Sequence, residues 1–387
     1  MRNIEKNTVV VKKFGGTSLN DVACLKHAAS LVRDSQSRGE TPVVVVSAMG
    51  GVTNQLVQWS ELCDASSRKS HQSERDTVIT SGEQVTAGLM ALALQNLGCR
   101  ASSFLGWQLP ILTNDQHTNA DITSINVLPL QYYIEEGGIP VVAGFQGMTK
   151  LGRISSLGRG GSDTTAVALS ALLNARLCQI FTDVDGVYDA DPSCIQKARK
   201  FDTISYEDMT IFSQYGAKVL HNKALNWAST YKVPIQVLST FEPEKPGTFV
   251  CETVSGVARG VAHRAVLRWS VPGLSACEAD QLLTALQQKA VSVWGWQWSA
   301  LSLTFFTELM DQDMVQQYVL PTYSIIPHMM CTVIGVPLDE IWEQRQKNLH
   351  GMGVEYIFRS SNSVSYVVGE HATHQVLSEL HNMVQEQ

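Results

Sequence analysis

The chain has 387 residues, 44% of them hydrophobic and 17% charged, and a formal net charge of −7. The length suggests two or three domains, and the composition is that of a globular protein with a full core. The negative balance argues against nucleic acid as a partner, no stretch approaches a membrane span, and Met1-Arg2-Asn3-Ile4-Glu5 lacks a signal peptide's apolar segment.

The eight cysteines are scattered, with no C-x-x-C pair. Most sit in apolar runs (Cys24, Cys178, Cys331), so the expectation is buried free thiols in a reducing cytoplasm rather than disulfides or zinc.

Residues 8–14 read as a strand, from the β-branched run Thr8-Val9-Val10-Val11 followed by Lys12 and Lys13. Gly15-Gly16-Thr17-Ser18 and a helical segment over 19–35 follow. Strand, double glycine, helix is an arrangement that cradles phosphate. It is not a Walker loop, because the lysine precedes the glycines. Lys12 and Lys13 point to opposite faces, so only one can serve a site directly; taken alone, each is expected to be a solvated charge at a strand end.

Residues 43–46 are four valines, the pattern of a strand covered on both faces in a parallel sheet. Ser47-Ala48-Met49-Gly50-Gly51-Val52-Thr53-Asn54 and a helix to 62 follow, and polar 65–75 is expected to be an exposed loop. Thr80-Ser81-Gly82-Glu83 opens a helix over 84–97, with Thr80 or Ser81 as its cap. A carboxylate in a first turn suits the helix dipole, so Glu83 fits a structural role as well as a ligand role. A short strand is expected within 102–112, a loop over 113–122, a helix over 126–136, a strand over 139–145 and a turn or hairpin over 147–152.

The central stretch is Leu157-Gly158-Arg159-Gly160-Gly161-Ser162-Asp163-Thr164-Thr165, a glycine-rich loop feeding a helix, with Ser162 the expected N-cap. Such a helix start offers free N–H groups to an anion. Arg159 adds a planar fork of donors for carboxylate or phosphate, and Asp163 a carboxylate able to hold a lysine. By itself the stretch fits a structural turn equally well.

A strand over 178–182 ends in Asp183-Val184-Asp185-Gly186-Val187-Tyr188-Asp189-Ala190-Asp191-Pro192. Gly186 falls at the wrong position for a calcium loop. An acidic loop after a strand is instead where α/β sheets place ligands. A helix over 204–215, the run Gly216-Ala217-Lys218-Val219-Leu220-His221, a helix to 231 and a strand over 233–238 follow. Glu242-Pro243-Glu244-Lys245-Pro246-Gly247 marks the expected end of the first domain. Beyond 254 short strands and helices alternate, suggesting two small α+β modules with antiparallel sheets. Trp294, Trp296 and Trp298 alternate on one face of a strand, which reads as core or interface packing.

Lys13-Phe14-Gly15-Gly16-Thr17-Ser18 resembles the opening signature of the aspartokinases, in the amino-acid kinase superfamily. The stretch 47–54, Ser81-Gly82-Glu83, Gly144-Phe145, 157–163, 182–188 and 216–221 match further motifs of that family in order. The resemblance is close over 8–250, and residues 360–381 resemble the last part of the family's paired ACT modules. It implies an α/β chain: a three-layer amino-acid kinase fold, a mainly parallel sheet between helices, over 1–250. Two ACT-like α+β modules for regulation and oligomerisation would occupy 255–387.

The activity implied by the resemblance is that of a short, monofunctional cytoplasmic kinase. ATP would phosphorylate the β-carboxylate of L-aspartate to 4-phospho-L-aspartate, the entry to lysine, threonine and methionine biosynthesis. The resemblance places Lys13 against transition-state charge, beside the amides of Gly15 and Gly16, with Asp163 orienting the lysines. Glu83 would hold the substrate ammonium and Arg159 a carboxylate, with Ser47, Thr53, Phe145 and Ser162 completing the pocket. Thr182, Asp183, Tyr188 and Lys218 would serve the nucleotide, and Mg²⁺ would arrive on ATP, held by phosphates and water. A homo-oligomer and an amino-acid effector are the implied partners.

The chain departs from the family in three places. Ser193 stands where Arg usually follows Asp-Pro and helps hold the nucleotide; Lys197, Arg199 and Lys200 are the nearby cations. Asn222 stands where Pro usually follows the histidine, and much of 291–337 does not match an effector-binding pair, which puts feedback by lysine or threonine in question. The alternatives are a related kinase acting on another carboxylate and a catalytically weak amino-acid sensor or regulatory subunit.

Overall fold

The computed structural model describes residues 8–64, 71–217, 219–252, 256–289, 291–299, 302–319, 322–336, 340–349 and 351–386. The chain forms two compact units. The first comprises Met1–Val187, Lys200–Gln214 and Lys218–Gly256; the second comprises Tyr188–Arg199, Tyr215–Ala217 and Val257–Gln387.

The first unit begins β1 (Val9–Phe14), α1 (Val22–Ser37), β2 (Thr41–Val46), α2 (Val52–Cys63), α3 (Gln72–Ile79), α4 (Ser81–Asn96) and β3 (Ala101–Phe104). It continues β4 (Ile111–Thr113), β5 (Ile122–Ile125), α5 (Leu128–Glu135), β6 (Ile139–Ala143), β7 (Gln146–Thr149), β8 (Ile154–Ser156) and α6 (Gly161–Leu172). The last elements are β9 (Leu177–Thr182), β10 (Thr203–Ser205), α7 (Tyr206–Tyr215), α8 (Asn222–Tyr231), β11 (Ile235–Ser239) and β12 (Thr248–Cys251).

Eight strands form one sheet in the order β10-β12-β11-β9-β1-β2-β6-β3. Its central pairs are parallel. The valine runs of β1 and β2 lie in its middle, buried on both faces, as a parallel sheet between helices requires. Phe14, Val44 and Val46 pack with α1 and α4 residues (Leu25, Val32, Met90, Leu94) on one face. On β1 the neighbouring residue Lys13 must point the other way, and there α6, buried over most of its length, lies against β1, β2 and β9.

Several local expectations are corrected. Residues 72–75 are helical rather than looped, because α3 carries Asp76 into a buried anchoring position; residues 65–70 lie outside the described residues. Since α3 runs directly into α4, the Thr80 and Ser81 hydroxyls donate back to the carbonyls of Asp76 and Val78 instead of capping α4. Ser162 is not the cap of α6. Gly160 is, with φ 65°, and a Cβ there would lie 2.2 Å from the Cβ of His221, so only glycine fits. The proline-rich run 242–247 is a turn within this unit, after which β12 returns antiparallel to β11.

The second unit contains β13 (Gly260–Pro272), α9 (Ala276–Gln288), β14 (Val293–Ser299), β15 (Ser302–Thr307), α10 (Gln312–Gln316), β16 (Ser324–Ile334), α11 (Glu340–Arg345), β17 (Val354–Arg359), β18 (Ser363–Val368) and α12 (Thr373–Gln385). The expected two modules share one six-stranded antiparallel sheet, β14-β15-β13-β16-β18-β17, because the long strand β13 pairs with both β15 and β16. One core gathers Trp269, Leu283 and Phe305 beside α9, and another gathers Trp342, Tyr366, Val376 and Leu380 beside α12.

Segment Tyr188–Arg199 belongs to the second core through Ala190 and Ile195. Its buried Asp189 accepts from Gln385 Nε2 at 2.7 Å and bonds His381 Nε2 at 3.2 Å. Of the alternating tryptophans, Trp294 packs against the core of Val266, Phe306, Met330 and Val367 as expected, whereas Trp296 and Trp298 are exposed. A bulge at Val293/Gly295 breaks the alternation, Trp294 lies against the Arg264 guanidinium at 4.0 Å, and Trp296 and Trp298 are 55% and 38% exposed. Among the described residues no helix is long and apolar enough to cross a membrane.

Candidate active site

Four adjacent parallel strands end together. Phe14 of β1 is in register with Val46 of β2 and Phe181 of β9, and Val46 with Ala143 of β6. Glycine-bearing motifs follow the ends of β1, β2 and β6 and the acidic loop follows β9, while Glu83 of α4 reaches this edge through the Ala48 amide and Asp163 of α6 through Lys13. The carboxyl ends of parallel strands are the side on which open α/β sheets bind ligands.

The centre of this edge is an ion pair. Lys13 Nζ lies 2.6 Å from Asp163 Oδ1, with the two side chains 11% and 10% exposed. The expectation of solvated strand-end lysines is thus overturned for both residues, because both faces of β1 are covered by helices. Lys12 is 3% exposed on the other face, paired with Glu40 at 3.4 Å and bonded to Gln179; burial pulls its pKa down. A charge pair so withdrawn from water is stable only when both partners are present.

The double glycine divides its work. The Gly15 amide is spent on the Phe181 carbonyl at 3.2 Å, so it is not available to a ligand, and the Gly16 amide is the one left for that role. A side chain at Gly15 would reach Lys13 Nζ at 3.4 Å, and one at Gly16 the Ala48 carbonyl at 3.2 Å. Ser18 donates to Phe181 O and accepts from Thr240 Oγ1, which fixes the turn to the sheet.

Ser47 continues the β2 ladder by donating its amide to Phe14 O and is half-buried, while Thr53 lies in the first turn of α2 behind the left-handed Gly51. Glu83, in the first turn of α4, is 3% exposed. Its Oε1 accepts from the Ala48 amide at 3.0 Å, and its Oε2 has no hydrogen-bond partner among the described residues. Burial pushes its pKa up to about 7, against the opposing pull of the Ala48 amide.

Phe145 has φ 67°, a strained value for an aromatic residue. Its amide donates to Thr165 Oγ1 and its carbonyl accepts from the Leu157 amide, so its backbone is held on both sides. Ser162 is 6% exposed and packs under Gly144, where a Cβ would lie 2.8 Å from its Oγ. Arg159 stands exposed on the loop and makes no ion pair among the described residues. At the end of β9, Thr182 donates to Asp183 Oδ1 at 3.0 Å, and Asp183 is exposed.

The remaining expected nucleotide residues are placed otherwise. Tyr188 opens the segment that belongs to the second unit, and Lys218 lies outside the described residues. Of the cations near Ser193, Lys200 pairs with Asp185 at 3.5 Å in the first unit, whereas Lys197 and Arg199 belong to the second.

The sequence reading missed the support beneath the glycine-rich loop. Buried Asp76 accepts from Ser156 Oγ at 2.6 Å, from the Thr118 amide and from His117 Nδ1 at 2.8 Å. Lys223 donates to the carbonyls of Asn119, Ala120 and Leu157 and pairs with Asp121. Together they hold 117–121 against the loop, so closely that a Cβ on Gly158 would meet Asn119 Oδ1 at 2.6 Å. A lone Asp and a lone Lys in polar surroundings carry no local pattern that announces such contacts.

The sequence model of the amino acid kinase family matches residues 8–239. An aspartokinase of Rickettsia felis is 40% identical over 272 residues, covering 69% of this chain and 68% of that protein. The chain belongs to the aspartokinases. A second member of the family, from Geobacillus stearothermophilus, is 41% identical over 292 residues, covering 74% of this chain and 71% of that one. The fold agrees over nearly the full length: E. coli aspartokinase III in complex with aspartate and ADP superposes with a TM-score of 0.78 at 22% identity, covering 97% of this chain and 99% of that one. The first-unit residues described above are therefore read on an aspartokinase scaffold.

Proposed function

We propose that this aspartokinase transfers the γ-phosphoryl group of ATP to the β-carboxylate of L-aspartate, and that the edge formed by β9, β1, β2 and β6 is where it does so. The observation that carries the reading is the set of charges gathered there: a buried cation on a buried carboxylate (Lys13, Asp163), a second buried carboxylate with one oxygen unpartnered (Glu83), and an exposed guanidinium on a glycine loop (Arg159). Aspartate with ATP presents the complementary set of an ammonium, two carboxylates and a phosphoryl chain.

A carboxylate is already a competent nucleophile, so the reaction needs no general base. The protein's task is to align two anions and to neutralise the charge that spreads over the transferred group. Lys13 meets that charge, with the Gly16 amide beside it. Asp163 acts as a positioning residue whose carboxylate pairs with Lys13 and aims it across the strand end. Glu83 Oε2 takes the ammonium, Arg159 a carboxylate, and Ser47, Thr53, Ser162 and the Phe145 ring close the pocket. Thr182 and Asp183 serve the nucleotide side. Mg²⁺ enters with ATP on phosphate oxygens and water, without an assigned side-chain ligand.

The C-terminal unit is read as the oligomerisation and effector part. Exposed Trp296 and Trp298 on the edge strand β14 support an interface there, since an open, apolar sheet edge is normally covered. The deciding experiment traps the acyl phosphate with hydroxylamine in the presence of ATP, Mg²⁺ and a panel of aspartate, glutamate, N-acetylglutamate and carbamate. Hydroxamate formed from aspartate alone is expected. Folded, ATP-binding protein that forms none would mark a sensor rather than an enzyme.

A further inference from the structure

We propose that Asp191, Cys194 and His263, in the C-terminal unit, form a binding site for a transition metal of the zinc class. A carboxylate oxygen of Asp191, the Cys194 sulfur and an imidazole nitrogen of His263 all lie within 4.8 Å of one another. Bonds of about 2.0–2.3 Å to a tetrahedral Zn²⁺ place its ligands about 3.3–3.8 Å apart, so small side-chain adjustments close the site.

The donors sit on fixed elements. The Asp191 carbonyl accepts from the amides of Cys194 and Ile195 at 3.0 and 2.8 Å, closing the turn that presents both Asp191 and Cys194. Ser193 donates its amide and hydroxyl to Asp191 Oδ1 at 2.9 and 2.6 Å, the kind of outer hydrogen bond that orients a ligating carboxylate. Ile195, next to Cys194, is buried in the core that also holds α12. His263 is mid-strand in β13, opposite Cys331 of β16, with its carbonyl packed under Gly216.

Thiolate, imidazole and carboxylate together suit zinc-class ions. They do not suit Mg²⁺, which prefers oxygen donors, so this site is distinct in chemistry from the metal that accompanies ATP. Asp191 is exposed and the other two donors are half-buried, which leaves an entry path and a fourth position for water. Binding would displace the thiol proton and add a second fastening of 189–195 onto β13, beside the Val261 amide bond to the Asp189 carbonyl at 2.7 Å.

The test uses the full chain stripped with chelator and titrated with Co²⁺. A thiolate-to-cobalt charge-transfer band in the near ultraviolet is expected, abolished by Zn²⁺ and untouched by millimolar Mg²⁺. It should be absent in Cys194→Ser, and His263→Ala should weaken Co²⁺ binding more than about tenfold. No thiolate band in the folded wild type, or an unchanged band in folded Cys194→Ser, overturns the site. Should a variant fail to fold by circular dichroism, the wild type decides alone. Zn²⁺ must slow alkylation of Cys194, located by mass spectrometry, several-fold more than that of exposed Cys63 and Cys277; equal protection of all three sinks the proposal.

Discussion

The two units bury polar groups for different ends. In the first, buried charges crowd one edge of a parallel sheet: Lys13, Glu83 and Asp163 at the strand ends, and Asp76 beneath the glycine loop. In the second, buried polar groups are spread through the sheet and its helices and satisfy each other: Trp269 Nε1 with Thr307 Oγ1 at 2.9 Å, Thr332 with Ser365 at 2.8 Å, and the buried Asp189 carboxylate with His381 and Gln385, away from any strand-end cluster. Charge burial is costly and persists where something else is gained. Neutral hydrogen-bonded pairs only need to fit. The first arrangement is that of a site, the second that of a scaffold.

Removing charge at the first edge should have the largest effect. Lys13→Ala is expected to lower turnover by about 10²–10³-fold, as measured by hydroxamate formation at saturating substrates. Asp163→Ala should lose activity and also about 3–5 kcal/mol of stability in denaturant titration, because Lys13 is left buried without its partner. If Asp163→Ala proves as stable as wild type, the pair is not a buried one in solution.

Glu83 sharpens the comparison through pH. Its pKa is about 7 in the folded protein, against 4.5 for an ordinary glutamate. Between these values the folded state binds more protons than the unfolded state. The free protein should therefore lose stability as pH rises from about 4.5 to about 7, with the full cost present above 7. If the ionised form holds the ammonium, the KM for aspartate should fall as pH rises through about 7 and level off above. Glu83→Gln should flatten both profiles and raise that KM about tenfold to hundredfold, with a smaller change in the KM for ATP. An unaltered pH profile in the variant would remove Glu83 from the substrate site.

The smallest catalytic effect is expected in the second unit. Trp269→Phe removes the buried bond to Thr307 and should cost about 1–3 kcal/mol in unfolding experiments while leaving turnover within about twofold. A large loss of turnover at full folding would mean that the two units do not divide site from scaffold as their burial patterns suggest.

Much of the first edge was legible because its motifs are local. Gly15-Gly16, Gly50-Gly51 and the run 158–161 each follow a strand, and in the last two the backbone takes a left-handed path that other residues resist, as Gly51 at φ 78° and Gly160 at φ 65° show. The burial of Lys12 and Lys13 was not legible, because adjacent lysines look the same whether helices cover both faces of their strand or neither. The helix start at Gly161 was misread for a related reason: Ser162 has the chemistry of a cap, but the contact of Gly160 with His221, 61 positions later in the chain, decides where the helix begins.

The amino-acid sequence by itself determined the alternation of strands and helices, the motif order that marks an aspartokinase, and the residue types available for binding an amino acid and a nucleotide, since these depend on local pattern. Only the tertiary structure decided which strand ends lie together, that Lys13 rather than Lys12 meets Asp163, and that Glu83 keeps one oxygen unpartnered. It alone decided, too, that the acidic segment after Val187 joins the second core and brings Asp191 and Cys194 to His263. The reason is physical: burial, ion pairing and metal-ligand geometry are properties of residues far apart in the chain, and they exist only once the sheet order is set.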